Sequence, residues 1–262
     1  MADQKKYTTK LVNSRVLIIG GSSGMGYGVA EACLESGAIV TISSSNPTRV
    51  NTSVESLRKS YPSASSNVHG LVVDLSKPET LESEIEKLFK ETAKSMEGRK
   101  LDHVIFTAAD ALSMMPLSEM TMPKILQVGQ IRFFAPLMVG KYCAQYLVSS
   151  PKSSYTITTG SVSERPVPNW SVVGSYAGGH HSMVRNLALD MKPIRVNGIS
   201  PGVVDTDMWQ MGEEEKKAFF KQCEERMATG VAGRPEDVVE SFLAVLKDCN
   251  MDGAVARTDG VL

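Results

Sequence analysis

The chain has 262 residues, of which 42% are hydrophobic and 22% charged, and its formal net charge is −1. That length and apolar content suffice for one sizeable core, and the near-neutral, interspersed charge leaves no basic stripe for nucleic acid or an anionic membrane surface. Cys33, Cys143, Cys223 and Cys249 are scattered without a C-x-x-C pair, which argues against a zinc site or a disulfide framework.

The lead-in Met1 to Lys10 is polar, and no apolar run reaches the roughly 18 residues a membrane span requires, so a soluble, cytoplasmic protein is expected. The first strand is expected at Val16 to Ile19, a short apolar run that ends in glycines, as in a strand covered on both faces. Further strands are expected at Ile39 to Ile42, Val68 to Val73, His103 to Thr107, Tyr155 to Thr159 and Ile194 to Ile199, with a weaker one near Val255. Helices are expected from Gly24, over Pro78 to Lys94 with Pro78 at its start, over Met122 to Leu147 and over Val172 to Met191. This alternation predicts a single α/β domain of the doubly wound Rossmann type, with a parallel sheet of about seven strands flanked by helices. Glu213 to Met227 interrupts the rhythm: about 205 to 230 reads as a substrate lid or as a solvated surface helix.

The turn Gly20-Gly21-Ser22-Ser23-Gly24-Met25-Gly26 runs from the first strand into a helix, which places backbone N–H groups and a helix N-terminus where a pyrophosphate can bind. Ser43-Ser44-Ser45-Asn46-Pro47-Thr48-Arg49 follows the second strand without a carboxylate. Hydroxyl and amide donors with Arg49 nearby suit a 2′-phosphate, so NADP(H) is expected as cofactor; an ordinary polar turn is the alternative.

These residues resemble the short-chain dehydrogenase/reductase family over nearly the whole chain. The glycine turn matches its T-G-x-x-x-G-x-G motif with Ile19 in the threonine place. Asp74-Leu75 is similar to its adenine-contacting acid, and Thr107-Ala108-Ala109 stands where the family has N-N-A-G. Ser200 to Thr206, with Gly202, Val203 and Val204, resembles its nicotinamide-side loop, and Gly233 to Asp237 its late motif.

The family resemblance implies a catalytic tetrad of Asn, Ser, Tyr and Lys, with tyrosine as the acid/base. Counting back from Leu187-Ala188 and Arg195-Val196-Asn197 places the tyrosine and lysine at Val173 and Ala177, which carry no proton. Arg132 falls at the asparagine, and Ser161 remains at the serine, with Ser163 a second candidate. Tyr176-x-x-x-His180 imitates the Y-x-x-x-K pair three residues later, a displacement of about 4.5 Å along a helix. Tyr176 therefore stands as a candidate acid beside a pocket-wall reading, and His180 and His181 as surface or packing residues. Arg132 reads equally as an anion clamp and as a structural filler. Trp170 reads as a stacking face for substrate or as packing, and Asp110 as a replacement acid or a loop residue.

With Pro166-Val167-Pro168-Asn169-Trp170, these departures resemble a narrower fungal group of NADPH-dependent reductases/Diels-Alderases in malbrancheamide- and paraherquamide-type alkaloid pathways. That group carries an aspartate where this chain has Val167. The resemblance implies an NADP(H)-dependent oxidoreductase of specialised metabolism that reduces an iminium or carbonyl, with a non-redox cyclase or isomerase and a catalytically silent binding protein as alternatives. It also implies a small-molecule substrate and a homodimer or homotetramer.

Overall fold

A computed structural model describes residues 4–112 and 114–261, so the first three residues of the polar lead-in lie outside it. Seven strands, β1 (Arg15–Ile19), β2 (Ile39–Ser44), β3 (Val68–Val72), β4 (His103–Phe106), β5 (Ser154–Thr158), β6 (Arg195–Pro201) and β7 (Val255–Thr258), form one sheet among the described residues. Their order is β3-β2-β1-β4-β5-β6-β7, and every adjacent pair is parallel. The order reverses between β1 and β4, which opens a crevice at the carboxyl ends of the strands.

Each central strand is buried on both faces because its alternate side chains feed two separate cores. Leu17 and Ile19 of β1 pack with Val104 and Phe106 on one face, against Phe89 and Tyr142. Val16 and Ile18 pack with Val40 and Ile42 on the other, against Val29, Leu57 and Phe242. Period-two alternation thus explains runs that read simply as apolar.

Among the described residues, eight α-helices flank the sheet: α1 (Gly24–Glu35), α2 (Pro47–Ser60), α3 (Leu81–Ser95), α4 (Met122–Gly129), α5 (Ala135–Tyr146), α6 (Ser171–Asp190), α7 (Glu213–Glu224) and α8 (Pro235–Lys247). Pro78 does not open α3. It sits in a turn in which Thr80 and Leu81 donate to the Lys77 and Pro78 carbonyls, and the helix starts at Leu81. The expected helix Met122 to Leu147 is interrupted by a π-helical turn, Gln130–Phe134. Pro136 in the first turn of α5 has no N–H to return to the carbonyl four residues back, that of Arg132, and a wider turn is the local answer. No helix of the described residues is long and apolar enough to cross a membrane.

Candidate active site

Two cavities open at the carboxyl ends of the strands. The first, of about 470 Å³, lies over the crevice and is lined by the turn after β1, by the ends of β2 and β3, and by the segment after β4. The second, of about 360 Å³, lies over β5 and β6. They share Met25, Thr107, Ala108, Ala109, Thr206 and Met208, so one leads into the other.

The glycines at the first cavity are there because of close approach. Gly20 has φ +94, and a Cβ on it would run into the backbone of Ala108. A Cβ on Gly26 would meet the Gly20 carbonyl and the Thr107 hydroxyl, so α1 can pack tightly on β1 and β4 only without one. Ser22, Ser23, Gly24 and Met25 line the cavity beside them, and α1 has no acidic residue in its first turn. That arrangement fits a bound pyrophosphate.

Ser44, Ser45 and Arg49 line the same cavity. Ser44 ends β2, Ser45 precedes the N-cap of α2 and Arg49 stands in its first turn, where a 2′-phosphate site or an ordinary polar turn is expected and no helix is. Asn46 does not line the cavity; it caps α2, its Oδ1 accepting from the Arg49 N–H at 2.9 Å. The α2 N-terminus also lacks an acidic first-turn residue, so helix, hydroxyls and guanidinium together fit a 2′-phosphate. Asp74 and Leu75 line the cavity from the end of β3. Hydrogen bonds from Ser76, with Oγ at 2.6 Å, hold the Asp74 carboxyl below its ordinary range and hence charged.

The remaining residues expected at the cofactor, Arg132, Gly202, Val203 and Val204, line the second cavity instead. Val173 and Ala177, at the positions of the missing tyrosine and lysine, face the same cavity and make an apolar wall there. Ser161 opens a short 3₁₀ turn, Ser161–Ser163, directly after β5 and lines the cavity with Trp170. Ser163 is taken by His181, with Nε2 and Oγ 3.0 Å apart.

Arg132 projects from the π turn to Asp110, with Nε 2.8 Å from Oδ1 and Nη2 donating to the Asp110 carbonyl. The Nε contact is an ion pair without the alignment of a directed hydrogen bond. Asp110 thereby serves as the partner of Arg132, and the residue lines the first cavity, on the cofactor side. The carbonyl of Arg132, left over by Pro136, accepts from His180 Nε2 at 2.7 Å. His180 is buried, and burial pushes its pKa down to about 4, so the ring is neutral. It is not a surface residue; it anchors the turn that aims Arg132. Pro136 four residues after an arginine was the sequence signal for this anchor.

Tyr176 donates its hydroxyl proton to the Ile125 carbonyl at 3.1 Å, and its ring packs on Phe133 and Phe134. Burial raises its pKa. This geometry matches a pocket wall and leaves the tyrosine proton committed elsewhere. The segment read as a substrate lid or a solvated surface helix contributes Trp209, Phe219, Cys223 and Arg226 to the lining of the second cavity, from the loop before α7, from α7 and from the turn after it, and none of these four side chains was singled out from the sequence. Trp209 Nε1 donates to the Val204 carbonyl at 2.9 Å, and the indole packs against Phe219 with ring centroids 4.7 Å apart. Arg165, before Trp170, was missed as well.

A doubly wound sheet with a glycine turn at its switch point, a cavity for a dinucleotide and a second cavity beside it defines a dinucleotide-binding Rossmann protein with an altered catalytic set. The chain belongs to the short-chain dehydrogenase/reductase family: the family model described as an SDR-like Rossmann domain matches residues 7–262. It is similar to the short-chain dehydrogenase/reductase fsr5 of Gibberella fujikuroi, at 44% identity over 99% of this chain and 98% of that one. It is also similar to malC of Malbranchea aurantiaca, at 38% identity over 98% of this chain and 97% of that one. A solved structure of the Malbranchea aurantiaca protein, described as MalC reductase/Diels-Alderase, superposes with a TM-score of 0.90, covering 97% of this chain and 98% of that one.

Proposed function

We propose that this chain is an NADP(H)-dependent reductase of fungal specialised metabolism that acts on a carbonyl or iminium carbon held in the second cavity, without a tyrosine–lysine proton pair. The observation that carries this reading is the wall common to the two cavities, which lets a dinucleotide in the first present its reactive end to the second. Bound there, the cofactor would supply a hydride. The turn Ser22 to Gly26 would hold its pyrophosphate, and Ser44, Ser45 and Arg49 its 2′-phosphate.

The chain's own residues set what else is required. An iminium takes hydride alone and needs no proton, so Val173 and Ala177 are no obstacle there. A carbonyl also needs its developing oxyanion stabilised, and Ser161 and Arg132 are donors in the lining of this cavity. Trp170 offers a flat face to an aromatic substrate. The similarity to a reductase/Diels-Alderase supports the reading and also brings a second one, a cyclase that uses the cavity for positioning. Further copies of this chain are the expected partners, because Leu126 of α4, Leu137 of α5 and Leu189 of α6 leave apolar surface exposed on the helices the family uses to associate.

Anaerobic incubation of the protein with NADPH and a fungal metabolite extract tests it. The reductase reading expects a product two hydrogens heavier than its precursor, formed as NADPH is consumed. An isomeric product with NADPH untouched would replace it with the cyclase.

A further inference from the structure

Among the described residues, the second cavity is lined by three arginines, Arg132, Arg165 and Arg226, and by no aspartate or glutamate. The carboxylates that balance these charges lie outside its lining. Asp110 faces the cofactor cavity. Asp259 is buried behind Arg165, 3.2 Å from its Nη1, and is shared with Arg257 at 3.3 Å, which in turn reaches Glu164 on the exposed side. Arg165 Nη1 is buried against Asp259 without the alignment of a directed hydrogen bond, while the side chain as a whole is 26% exposed and lines the cavity. Arg226 is exposed at the cavity rim and has no ion-pair partner among the described residues. The rest of the wall is uncharged: apolar and aromatic side chains such as Trp170, Trp209, Phe219 and Val167, with the hydroxyls of Thr158, Thr159 and Ser161 and the neutral ring of His180 between them.

Such a cavity is rich in charged donors and offers a cation no carboxylate. A cationic substrate would meet like charge there and no carboxylate to offset its lost hydration, whereas an oxyanion would gain forked, charge-assisted hydrogen bonds. We propose that the substrate is an apolar or aromatic molecule bearing a delocalised oxyanion, a carboxylate or an acidic enol, gripped by Arg226 together with Arg165. This rests on the reading of the second cavity as the substrate site and selects its carbonyl arm over the cationic iminium.

Both tryptophans of the chain line this cavity, so their fluorescence reports its occupancy directly. Phenylbutanoate, phenylbutanamide and phenylbutylammonium, three probes of one shape and different charge, are titrated into the full chain saturated with NADPH. The carboxylate is expected to bind at least about tenfold more tightly than the ammonium, as one charge-assisted hydrogen bond implies. The Arg226→Ala variant loses most of that preference and Arg226→Glu inverts it; Arg226 is exposed, so both substitutions spare the core. Equal quenching by the three probes, no quenching, preference for the ammonium, or a preference that Arg226→Glu leaves unmoved overturns the proposal. NADPH binding, read from the cofactor's own fluorescence, separates the two readings: its failure with the carboxylate preference intact removes the reductase and leaves the oxyanion site.

Discussion

At the scale of single residues, the site replaces proton donors with anchors. Tyr176 stands one turn beyond the position a catalytic tyrosine would need, and its hydroxyl bonds to the Ile125 carbonyl. Tyr176→Phe is therefore expected to keep turnover within about twofold while losing on the order of 1 kcal/mol of stability, as for a single neutral hydrogen bond. A loss of turnover of a hundredfold or more, measured beside an unchanged fold, would return Tyr176 to catalysis. The buried histidines make a second prediction. Burial pushes His103 and His180 each down to about 4 from the ordinary 6.5. Between those values the unfolded chain binds protons that the folded chain refuses, so stability is complete above about pH 6.5 and falls as pH drops toward 4. Each histidine contributes a slope of up to about 1.4 kcal/mol per pH unit. Urea unfolding midpoints that decline between about pH 6.5 and 5, above the range where ordinary carboxylates titrate, would bear this out; flat midpoints would contradict it.

At the scale of elements, the carboxyl ends of β1 and β2 define the cofactor through the helices that follow them. Arg49 sits in the first turn of α2, beside the cavity and free of any acid in that turn. Arg49→Ala is expected to weaken NADPH binding about tenfold or more and leave NADH binding nearly unchanged, by fluorescence titration of both. Equal effects on the two cofactors would place the 2′-phosphate elsewhere. The seven strands and the glycine turn were legible in the sequence because buried apolar runs and turn glycines are local signals. α2 was not, because Asn46-Pro47 opens a helix or a turn equally well. The break between α4 and α5 depends on a long-range fact, the meeting of the Arg132 carbonyl with His180 of α6, and only Pro136 hints at it. The separation of Arg132, Gly202, Val203 and Val204 from the first cavity likewise depends on how β5, β6 and the π turn pack, which spacing along the chain does not express. Arg226 lies in a turn after a helix with no buried residue, where periodicity carries no information.

For the whole molecule, the sheet joins two cavities whose chemistry differs: one built for a dinucleotide, the other apolar and edged with guanidinium groups. The association of copies proposed above would use the exposed apolar residues of α4, α5 and α6. Leu137 is 45% exposed, so Leu137→Glu is expected to shift a dimer or tetramer toward monomer in light scattering without lowering NADPH affinity. A wild-type chain that is already monomeric would set that association aside. The larger proposal is the division of labour between the cavities: hydride from a cofactor in the first, delivered to a substrate in the second without a tyrosine–lysine pair. Its most direct measurement is the fate of the cofactor's hydrogen: NADPH deuterated at the transferring position of the nicotinamide is supplied with the substrate, and the product is examined by mass spectrometry and NMR. Deuterium on the product carbon, one for each cofactor oxidised, is the predicted result. A deuterium-free isomer of the substrate, formed while the labelled NADPH stays reduced, would contradict it.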